Sequence, residues 1–171
     1  VDDEIHGERL RTLKRLDSWR NCSRPTDADR RSAPLDRVVV ASVQALMQPV
    51  PGRELIGAST RQLGVGDQLD TARFSDWLVR HGFHASSAVE LPGEFSLRGG
   101  IFDLFAADWD QPVRIELFGD EIESIRQFAV ATQRSTETLE HIELTVVQPE
   151  SECSTPFAEH VPDSSWFLVA E

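Results

Sequence analysis

Few side chains in this sequence are grouped as catalysis requires. His81 and His84 stand three apart on either side of Gly82. That spacing suits two ligands of one metal ion at a helix end, but no Cys or carboxylate nearby completes a recognisable set, so they read as solvated histidines. The pairs Asp120–Glu121 and Glu121–Glu123 have the residue type for proton transfer or cation binding. With 29 acids in 171 residues, however, neighbouring carboxylates are expected on any solvated face. LGVGDQ holds two glycines but lacks the lysine and the following helix geometry that a phosphate-binding loop uses, and it reads as a turn. The patterns GxxxxGK followed by Ser or Thr, GxGxxG, GxSxG and HExxH are absent. No catalytic, cofactor-binding or metal-binding residue is assigned, and the expectation is a module that binds rather than reacts.

Chemistry of recognition is more visible, in Leu91–Ser135. This stretch is dense in β-branched and aromatic residues, broken by Gly-Gly and Gly-Asp turns, and carries its arginines singly on otherwise apolar or acidic strands. Along PVRIELF, alternation sends Val113, Ile115 and Leu117 to one face and Arg114, Glu116 and Phe118 to the other, because strand side chains repeat every two residues. One face is core and the other is free to bind. Gly99-Gly100 inside EFSLRGGIFDLF, read as one strand, predicts a bulge that re-aims Arg98 outward or a close backbone approach. FGDE predicts a tight hairpin.

The elements that must hold this face follow from periodicity. Ile5, Leu10, Leu13, Leu16 and Trp19 predict an amphipathic helix from about Glu4 to Arg20, followed by a polar, Pro-containing connection. RVVVAS fits a buried strand, and Ser42 can cap a helix through VQALMQ that stops before Pro49. PVPGRE marks a boundary, since two prolines and a glycine interrupt both helix and ladder. In GDQLDTARFSDWLVRHGF, Asp70 is the expected N-cap, Leu69 and Phe74 form a hydrophobic staple, and Gly82 sits at the C-terminal cap. Extended segments follow at SAVEL, EFSLRGGIFDLF, PVRIELF, DEIESIRQF and HIELTVV. The last alternates Ile142, Leu144 and Val146 against Glu143 and Thr145. The expected fold is α+β: a mostly antiparallel sheet domain with a capping helix over residues 53–149, attached to a partial α/β segment at 1–52, with 150–171 returning to that segment through the WFLV strand.

Composition bounds the partners. The net charge of −12 repels phosphate backbones, so tight nucleic-acid binding by this chain is not expected. Cys22 and Cys153 are too few and too far apart for a disulfide framework, which fits a reducing, cytoplasmic setting. No apolar run reaches the roughly 20 residues a membrane helix needs. The start at Val1 and the apolar end WFLVAE suggest a piece of a longer protein.

PGEFSLRGGIFDLF, PVRIELFGDEIESIRQF and TQRS resemble the UvrA-binding domain of bacterial transcription-repair coupling factors. VVVASVQALMQPVP is similar to the strand–helix step that leads into that domain, both in those factors and in UvrB. The resemblance covers roughly Arg37 to Pro149. Gly100, where UvrB-like sequences tend to carry Asp, and the QRS after the third strand favour the coupling factor. Ala106 and Ala129 depart from the family's usual Pro and acid, and the segment after Pro149 is shorter than the family's. The resemblance implies that residues 1–52 are a helicase-like remnant similar to UvrB domain 1a, without a working ATPase. It implies an adaptor that recruits UvrA to RNA polymerase stalled at DNA lesions, with polymerase and DNA contacted by the rest of an ATP-dependent translocase. Matched through RGGIFDLF and VRIELF, the implied UvrA contacts are Arg98, Arg114 and Phe118. Two other readings stand beside it. One is a fragment of UvrB itself. The other is a purely structural domain, in which Arg98 and Arg114 pair with Glu94, Glu116 or Glu121 across strands and Phe118 is core.

Overall fold

The computed structural model describes residues 2–21, 38–147, 155–162 and 165. Its centre is a six-stranded sheet in the order β2 (His84–Ala85), β3 (Glu94–Arg98), β4 (Ile101–Leu104), β5 (Val113–Phe118), β6 (Glu121–Ala129) and β7 (Arg134–Leu139). Only β2 and β3 run parallel; the other pairs are antiparallel. Cross-strand register lines up Phe102, Ile115 and Ile125 on one face, and all three are fully buried. This is the core face that alternation in PVRIELF predicts. The α+β class holds.

The helix covering that face is α4 (Thr71–Arg80). The Asp70 side chain accepts the Arg73 N–H at 3.0 Å, Leu69 and Phe74 are buried on either side of the cap, and Gly82 takes φ +87° just past the end, as the sequence predicts. Phe74 lies 5.2 Å from the Phe102 ring and Leu78 is fully buried. Each such side chain stabilises the docked helix by about 1.5–3 kcal/mol.

A second layer joins the chain's beginning to this sheet. Helix α1 (Asp2–Asn21) buries Leu10, Leu13 and Leu16, while Ile5 faces out. Gly7 is pressed against the β4–β5 loop so closely that a Cβ there would fall 2.1 Å from the Ala107 carbonyl oxygen. Arg11 donates to the carbonyls of Asp108 and Trp109, and Lys14 pairs with the buried Asp108 carboxylate at 2.7 Å. Strand β8 (His141–Thr145) leaves the main sheet and pairs antiparallel with β1 (Thr60–Gly64).

Several expectations need correcting. EFSLRGGIFDLF is two strands, and Gly99-Gly100 is the hairpin turn between them rather than a bulge; the close backbone approach is found at Gly100, where a Cβ would lie 3.0 Å from the Leu117 carbonyl oxygen. Both glycines have positive φ, +55° and +75°, the pairing that matches a two-residue turn to the strands' twist. Val38, Val39 and Val40 form no strand and are exposed, because among the described residues no neighbouring strand offers them a ladder. Ser42 nevertheless caps α2 (Val43–Met47) through the Ala45 N–H. The chain re-enters a helix, α3 (Arg53–Ala58), directly after Gly52. SAVEL is not a strand: the Glu94 carboxylate accepts the Glu90 and Leu91 N–H groups, which removes them from any ladder. Thr145 is buried against Thr60 rather than outward. The Cys22, Cys153 and WFLV readings lie outside the described residues. No helix among the described residues is long and apolar enough to cross a membrane.

Candidate functional site

The face opposite the core is read off the same register. One row runs Ser96, Asp103, Arg114 and Arg126; the next runs Arg98, Ile101, Glu116 and Ser124. Beyond Glu116 the β5–β6 pairing shifts, so that Glu123 is skipped, Leu117 faces Ile122 and Phe118 faces Glu121. Strand parity therefore keeps Arg114, Glu116 and Phe118 on one face, and the ladder adds Arg98 to it. All three residues implied by the resemblance share this side of the sheet.

Their environments differ. Phe118 closes β5 at the Gly119-Asp120 turn and is 82% exposed. It is not core. Arg98 ends β3 beside the Gly99-Gly100 turn, is exposed, and makes no hydrogen bond or ion pair among the described residues. Arg114 is enclosed. Its Nε and Nη2 donate to the two carboxylate oxygens of Asp103 at 2.7 and 2.8 Å, and Nη1 points to the Gln133 carbonyl at 3.4 Å. The guanidinium lies 4.8 Å over the Phe128 ring. The hydrogen bond to Asp103 raises the Arg114 pKa; burial opposes this, and attraction to Asp103 and Glu116 adds to it. A bidentate pair of this kind fixes the guanidinium plane. Neither Glu94 nor Glu116 nor Glu121 is Arg114's salt-bridge partner. Glu94 is committed to the turn at Glu90–Leu91, and Glu116 accepts from Ser124 and pairs with Arg126 at 3.4 Å.

Two participants escaped the sequence reading. Asp103, 2% exposed, was signalled only as a lone acid within the apolar run IFDLF. Ile101, 41% exposed, looks like core by composition. The two hairpin tips are joined, since Leu117 N–H donates to the Gly100 carbonyl at 2.7 Å. The chemistry available is that of contact: a bare aromatic, a free cation and an internally neutralised arginine. His81 donates to the Trp77 carbonyl at 2.7 Å and its ring lies tilted against the indole, 4.6 Å between centroids, and among the described residues no cluster of His, Cys, Asp and Glu could hold a metal. A groove of about 640 Å³ beside α4 has Arg61 lying over Trp77 at 3.9 Å. Asp70 and Asp76 on its wall offset the charges of Arg73 and Arg80.

Residues 62–151 match the family described as the UvrB interaction domain. Over 118 residues, 66% of this chain and 10% of the relative, the sequence is 39% identical to the transcription-repair-coupling factor of Bacillus subtilis (strain 168). It is 40% identical over 106 residues, 62% of this chain, to that of Myxococcus xanthus, and 48% identical over 83 residues, 48% of this chain, to that of Staphylococcus aureus (strain MRSA252). The chain spans about a tenth or less of these relatives' length.

Proposed function

This chain belongs to the UvrB interaction domain family, and from that premise we propose that it is the recruiting module of a transcription-repair coupling factor. It is a protein-interaction module rather than a catalytic one. In this reading it binds the excision-repair protein UvrA and brings it to RNA polymerase stalled at a DNA lesion, while other parts of the parent chain contact polymerase and translocate on DNA. Residues 1–52 then act as a helicase-like remnant that carries the module. Arg98, Arg114 and Phe118 are the UvrA contacts.

The observation that carries this reading is Phe118. A phenylalanine 82% exposed at a hairpin tip does nothing for the sheet's own packing, and large aromatics beside arginine are the usual anchors of protein interfaces. Arg98 supplies an unpaired cation on the same face, two strands away on β3. Arg114 has three of its five donors engaged internally, which leaves others for a partner carboxylate.

The test is a calorimetric titration of the chain with UvrA, with melts to establish folding. Phe118→Ala removes an anchor, and the expected loss is about 2 kcal/mol, roughly thirtyfold in Kd. Folded Phe118→Ala and Arg98→Ala variants that bind UvrA like the parent would exclude the face.

A further inference from the structure

We infer that the partner surface contacted here spans two hairpin tips and is ordered cation, apolar, anion: Arg98, then Ile101 with Phe118, then Glu121. The inference rests on the reading above and adds Ile101 and Glu121 to it. Three observations combine. Arg98 pairs with Ile101 and Ile101 with Glu116, while Phe118 lies two positions beyond Glu116 on the same face and opposite Glu121. Ile101 and Phe118 are exposed by 41% and 82%, an apolar strip on an otherwise polar face. The Leu117-to-Gly100 hydrogen bond couples the tips, so they present one preformed surface with little ordering cost on binding.

The charges at either end of the strip are free for a partner. Among the described residues neither Arg98 nor Glu121 has a side-chain hydrogen bond or ion pair, and Asp120 and Glu123 add negative charge beside Glu121. Glu116, between them, is engaged internally with Ser124 and Arg126, and in the neighbouring row Arg114 is held by Asp103 with donors left over for the partner. The matching partner surface has an apolar pocket with a carboxylate on the Arg98 side and a basic group on the Glu121 side. Such an order fixes the direction of docking as well as its strength, because reversal would set like charges against each other.

The experiment uses the same UvrA titration with two variants outside the three residues already proposed. Ile101→Thr keeps a β-branched strand residue while making the strip polar, and Glu121→Lys reverses the anionic end. Each is expected to weaken binding about tenfold. Glu137→Lys, the same charge change on exposed β7, is the control for overall charge and is expected to bind like the parent. If Ile101→Thr and Glu121→Lys bind like the parent while Phe118→Ala is weakened, the two-tip surface is wrong and the UvrA reading stands. If Phe118→Ala and Arg98→Ala also bind like the parent, that reading falls with it. A loss at Glu137→Lys equal to that at Glu121→Lys overturns the anionic end, since net charge then accounts for both.

Discussion

Arg114 and Phe118 lie on the same strand and the same face, yet one is enclosed and the other bare. The difference comes from their neighbours. Arg114 sits mid-strand between Asp103 on β4 and Arg126 on β6, with the Gln133 carbonyl above it. Phe118 sits past the register shift, at the turn, with Glu121 opposite. Alternation decides which side of a sheet a residue takes; position along the strand decides whether that side is covered. Arg114 should therefore matter first for folding and Phe118 for what the folded sheet touches.

The largest expected effect tests the Arg114 half of that contrast. Arg114→Ala leaves the Asp103 carboxylate, 2% exposed, without its partner, and breaking a buried pair from one side costs about 3–5 kcal/mol. Urea unfolding should show it. Replacing both residues, Asp103→Val with Arg114→Leu, should recover most of that loss, because the penalty lies in the orphaned charge rather than in the missing bond. A double variant as unstable as Arg114→Ala would mean that Arg114 works through something other than Asp103.

Next in size is the turn that joins the tips. Gly100 has φ +75°, and a Cβ there would lie 3.0 Å from the Leu117 carbonyl oxygen. Gly100→Val should lower stability by about 1–2 kcal/mol, chiefly from the left-handed backbone, read as a lower melting temperature. An unchanged melt would show that the hairpin adopts another turn without cost.

The smallest effect sharpens the comparison most. Phe118→Ala should change stability by no more than about 0.5 kcal/mol, as exposed substitutions do, while weakening UvrA. A large drop in melting temperature would make Phe118 a structural residue and dissolve the contrast with Arg114.

Sequence alone determined what depends on neighbours in the chain. Asp70 caps α4 and Gly82 ends it because capping uses donors and dihedrals within a few residues. Val113 and Ile115 are buried and Arg114 and Phe118 are not core-facing because strand periodicity is fixed by the backbone. Gly99-Gly100 was legible as a place needing positive φ, but the choice between bulge and hairpin depended on whether β3 and β4 pair with each other. The tertiary structure decided the rest. It gave β8 to β1 instead of the main sheet, made RSTETL of β7 an edge strand, and left Val38–Val40 without a ladder. It also matched Arg114 to Asp103, eleven residues away, rather than to any of the glutamates nearer to hand. Pairing partners and burial are set by which distant segments meet, and no periodicity within one segment encodes that register.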